Sequence, residues 1–107
     1  MFGKARIGIP GEIDVSGFSE LGGAKEFLRM WNPEEGGAFC FVQPENLKPD
    51  PFAFGMMMID AMKHAARAWS QAVNISEEEA LARILEGFDA EREMSRTDIK
   101  QLDPKAN

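Results

Sequence analysis

Residues 50–73, DPFAFGMMMIDAMKHAARAWSQAV, read as one long helix with two clean faces. Phe54, Met58, Ala61, Met62, Ala65, Ala68, Trp69 and Ala72 fall on the apolar face. Asp60, Lys63, His64, Arg67 and Gln71 fall on the polar one. The ends carry their own signals. Asp50 suits the capping position, and Pro51 suits the first turn, where a missing N–H costs nothing. Asn74 suits a left-handed residue just past the last turn. Any fold open to this chain must bury one face of that helix.

A second helix is expected almost at once. Ser76 and Glu79 have the spacing of a capping box, in which hydroxyl and carboxylate each satisfy one free N–H. Glu77, Glu78 and Glu79 favour the positive end of a helix dipole. Leu81, Ile84, Leu85 and Phe88 make one stripe, and Glu79 and Arg83 are spaced as an i,i+4 pair. Gly87 interrupts the stripe's helix, either by simple tolerance or to admit a neighbouring backbone. The pattern fades near Met94. The short link at Asn74 and Ile75 favours antiparallel helices.

The first half of the chain reads as a hairpin. Ala38 to Val42, AFCFV, is short, apolar and bounded by turn residues, as a strand should be. Lys25 to Trp31, KEFLRMW, has few β-branched residues and reads as a strand or a short helix, the strand being simpler, and Asn32 to Gly37 supplies the early proline and late glycines of a turn. Phe27, Arg29 and Trp31 then share one face. A third strand can come from Ala5 to Ile9 or Glu12 to Val15; flexibility before about residue 20 is the other reading. The expectation is an α+β fold: a small antiparallel sheet, with room for a third N-terminal strand, packed against two antiparallel helices. Residues 1–94 form a single domain, and residues 95–107 a disordered polar tail.

Composition narrows the function. The chain has 107 residues and a formal net charge of −6, which disfavours a phosphate backbone as partner. Its one cysteine allows no intrachain disulfide and no CxxC motif. No signal-peptide core is visible, and the longest apolar run, Met56 to Ile59, falls far short of a span. A cytoplasmic protein without nucleic-acid or membrane partners is expected.

Asp60 and His64 stand four apart on one helical face, so a carboxylate can orient an imidazole. Lys63 and Arg67 flank them and can hold an anion. Arg29, in an otherwise apolar strand, can reach a ligand or Asp60, with Trp31 stacked beside it. These six residues are the candidate ligand-binding set. A solvated helix face is the commoner use of such a pattern. No residue is assigned a catalytic role. Cys40 is expected as a buried structural cysteine; the cluster Met56, Met57, Met58 and Met62 resembles adaptable surfaces that bind varied partners, with core packing its commoner use. No glycine-rich phosphate loop, serine elbow or metal-ligand motif is present, so no metal and no cofactor is expected.

The blocks KEFLRMW, GGAFCFV, PDPFAFGMMMIDAMKHAARAW and SEEEALARILEGFDAE, in that order, resemble a family of small uncharacterised bacterial proteins found mainly in alphaproteobacteria. The similarity spans about residues 24–93 and includes Asp60, His64 and Arg67. It implies the fold and a bacterial origin, and it supplies no activity. The sheet itself says more. Phe39 and Phe41 point one way and Cys40 and Val42 the other, so both faces are apolar and two helices cover only one. The N-terminal segment can cover the second face; a second copy of the chain is the better cover, and two-fold homodimers are the commonest soluble assembly. The expected function is therefore a non-enzymatic self-association or protein-interaction module. The alternative is a small ligand-binding or catalytic domain using Asp60, His64 and Arg67 with Arg29.

Overall fold

The computed structural model describes residues 8–94 and 102–104. The expected tail thus lies largely outside the described residues, as does most of the possible strand at 5–9. The fold is α+β. Strand β1 (Leu28–Trp31) pairs with β2 (Phe39–Val42), and helices α1 (Pro51–Val73) and α2 (Glu77–Glu93) follow. The sheet has two strands among the described residues. Residues 12–15 form no strand, and a short 3-10 turn covers Ser19–Leu21.

Local chemistry sets the helix limits. The Asp50 carboxylate accepts from the Phe52 N–H at 3.1 Å, satisfying a donor that the first turn leaves free. At the other end Asn74 adopts φ 60° and ψ 54°, and its N–H donates to the Ser70 carbonyl. The Ser70 hydroxyl donates to the Ile75 carbonyl at 2.6 Å, which seals the turn between the helices. The Ser76 hydroxyl accepts from the Glu79 N–H at 3.0 Å and starts α2. The reciprocal Glu79 arm of the capping box is not formed. Arg83 also departs from expectation: it pairs with Glu86, at 2.7 Å, instead of Glu79.

In the hairpin Arg29 opposes Phe41 and Trp31 opposes Phe39, while Leu28 opposes Val42 and Met30 opposes Cys40. Directly opposed residues share a face. One face therefore carries Arg29, Trp31, Phe39 and Phe41, and the other Leu28, Met30, Cys40 and Val42. The connecting loop turns on Gly36 and Gly37, at φ 94° and 77°, a region closed to most side chains. Beyond the strands the Gln43 N–H donates to the Phe27 carbonyl at 2.9 Å. The Asn46 side chain donates to the Glu26 carbonyl at 2.7 Å, tying the polar connector back to the start of β1.

The helices pack on each other, and the hairpin joins them at the N-terminal end of α1, where the Phe27 ring meets Phe54. Residues 11–12 lie over the Arg29 face: Glu12 sits 3.8 Å from the guanidinium, and Gly11 lies close to the Trp31 ring. Among the described residues only Ala66 and Ala80, at the crossing of α1 and α2, are buried apolar residues. Met58 and Met62 are half-buried, but Met56 and Met57 are exposed, so the methionine cluster is only partly core. Ala61, Ala68, Trp69 and Ala72 of the expected apolar face are exposed too.

Candidate functional site

The antiparallel turn at residues 74–76 brings the first turn of α2 against the last turns of α1. Lys63, His64, Ala66 and Arg67 of α1 thereby line an open groove with Glu77, Glu78 and Leu81 of α2. Arg67 Nε donates to Glu77 Oε2 at 3.2 Å, with both side chains largely exposed. Such a pair is screened and contributes little, at most about 1 kcal/mol. The two glutamates also set the chemistry of the groove. They neutralise the Lys63 and Arg67 charge that would attract an anion.

Three of the six candidate residues, Lys63, His64 and Arg67, therefore converge. Asp60 stands one turn before His64 and is exposed, as His64 is, and no hydrogen bond joins them among the described residues. Arg29 and Trp31 lie apart, on β1. The Arg29 guanidinium donates to both Glu26 carboxylate oxygens, at 2.6 and 3.0 Å, and faces Glu12 at 3.8 Å. The hydrogen bond and charge of Glu26 raise its hold on its proton; desolvation opposes them, and the charge of Glu12 adds a lesser push in the same direction as Glu26. Arg29 is a structural cation linking the N-terminal segment to the strand. Glu77 and Glu78 were missed as groove residues. Their signal was the short turn, which places residues of near-constant summed number opposite one another.

Cys40 corrects a further expectation. It is free and exposed on β2. Among the described residues no group of three or more His, Cys, Asp or Glu is placed to hold a metal ion. No described helix is long and apolar enough to cross a membrane.

No curated protein matches the chain. A solved structure described as "a putative pyruvate dehydrogenase from the photosynthetic bacterium Rhodopseudomonas palustrus CGA009" is 26% identical, with a TM-score of 0.63 over 98% of this chain and 100% of that one. Residues 19–96, which hold both helices, the hairpin and the groove, match the model of a domain of unknown function, and the chain belongs to that family, DUF5076.

Proposed function

We propose that this protein is a non-enzymatic self-association module whose folded unit is a homodimer. The observation that carries the reading is the unfinished core: Ala66 and Ala80 alone are buried apolar residues among those described. Trp69, 57% exposed, and Phe41, 52% exposed, stand with Met30, Phe39, Val42, Leu85 and Phe88 as large apolar side chains in water. Phe39 and Phe41 share one face of the sheet, and an exposed apolar patch of this kind marks an interaction site. A specific interface removes about 800 Å² per partner. Protein interaction with an unrelated partner would use the same surface.

The reading as a ligand-binding or catalytic domain has less support. Acid–base catalysis relies on groups held in a sequestered site with shifted proton affinities. Here Lys63, His64 and Arg67 line an open groove, and Arg67 is taken by Glu77. The pyruvate dehydrogenase description belongs to the matched bacterial structure. We further propose a bacterial, cytoplasmic setting, since an exposed free Cys40 suits a reducing compartment.

Sedimentation equilibrium of the full chain at micromolar concentration tests the proposal. A mass twice the 11.9 kDa of the chain is expected. A cooperatively folded species with the mass of one chain would overturn it.

A further inference from the structure

We infer that two copies of the chain join edge to edge, β2 antiparallel to β2, in a four-stranded sheet centred on Cys40. This rests on the self-association reading and names its seam. The backbone decides which groups are free. The Gln43 N–H bonds to the Phe27 carbonyl, so in this antiparallel ladder residues 39, 41 and 43 turn their N–H and C=O toward β1. Ala38, Cys40 and Val42 turn theirs outward. No backbone bond outside the hairpin engages these three among the described residues.

The two edges of the hairpin differ. The segment entering β1 carries Lys25 and Glu26 and β1 itself carries Arg29, charges that guard an exposed edge. From 38 to 42, AFCFV has no charge, no proline and no bulge, and all four residues of β2 are exposed. A neutral edge suits a second copy of a chain whose net charge of −6 otherwise resists self-contact.

Register follows from the same parity. A two-fold seam must oppose outward residues to outward residues. Centred on Cys40, it opposes Ala38 to Val42 of the second copy and uses the outward groups of all three positions. Centred on Phe41, it sets Ala38 against Pro44, which has no N–H to give. Centred on Val42, it sets Cys40 against Pro44. The Cys40 register also opposes Phe39 to Phe41 of the second copy, twice over, on one face. Those two rings are half exposed in one chain, and the seam stacks them as cross-strand aromatic pairs.

The single cysteine makes the register measurable. In this pairing the two Cys40 Cα atoms stand about 5.5 Å apart. A short bismaleimide should convert the native dimer to a covalent one through Cys40, and the product should vanish in urea. Cys40→Pro removes an outward N–H and leaves the β1 ladder whole. It should raise the dimer dissociation constant at least tenfold while the helical circular dichroism persists. Phe41→Lys, which keeps every backbone donor, should do the same by charging the aromatic seam, and it covers the case in which the proline variant does not fold. A wild-type chain that sediments as a monomer would sink both this seam and the self-association reading. A wild-type dimer that resists the linker, and whose dissociation constant is unmoved by Phe41→Lys, would overturn the seam alone.

Discussion

The ring of Phe27 meets the ring of Phe54 edge-on, with centroids 6.0 Å apart and planes at 84°. One residue immediately precedes β1 and the other lies in the first turn of α1, so this pair fixes the hairpin to the helices. Phe54→Ala should destabilise the fold by about 2 kcal/mol, below a fully buried phenylalanine because the site is half-buried. A double-mutant cycle with Phe27→Ala should show coupling of about 1 kcal/mol. Urea unfolding at fixed protein concentration measures both.

Helix starts rest on two side-chain caps. Asp50→Ala and Ser76→Ala each remove the acceptor for a first-turn N–H. Each should lower stability by about 1 kcal/mol. The two effects should add, because the caps serve different helices. Thermal denaturation of the single and double variants checks this.

Gly87 faces open space: a Cβ placed there meets no atom within 4 Å. Simple tolerance is therefore the reading the structure supports, since no neighbouring backbone among the described residues needs the room. Gly87→Ala should stabilise the protein by about 0.5–1 kcal/mol through helix propensity. A fall in stability would show that α2 meets another molecule at that point.

Asn74 holds a left-handed conformation, φ 60° and ψ 54°, at the turn that sets α1 against α2. Asn74→Ala should lose about 1 kcal/mol, because alanine lacks the short polar side chain that lets asparagine tolerate the left-handed region. Asn74→Gly should keep wild-type stability. Denaturant midpoints separate the two outcomes.

The polar face of α1 contributes little to folding. Asp60→Asn and His64→Gln touch exposed side chains that share no hydrogen bond. Each should change stability by less than about 0.5 kcal/mol. A larger change in either would reveal a contact that forms only in an assembly.

Much of this fold is legible in the chain because its determinants are local. Asp50, Pro51 and Asn74 bound α1 where the sequence places them, since caps and left-handed ends depend on a few adjacent residues. Gly36 and Gly37 mark the hairpin for the same reason. The candidate site was legible only in part. Lys63, His64 and Arg67 share a face by helical periodicity alone, but the neutralising Glu77 arrives from another helix. Arg29 is similar: its strand is readable, whereas Glu12 reaches it from across the fold.

By itself the sequence determined the helices, their ends, the turn between the strands and the alternation of faces. Only the tertiary structure decided that Cys40 and Trp69 stand in water and that Ala66 and Ala80 carry the buried crossing. The physical reason is that periodicity shows which side chains gain from burial. What lies against them depends on non-local packing, and one copy of this chain leaves much of its apolar surface uncovered.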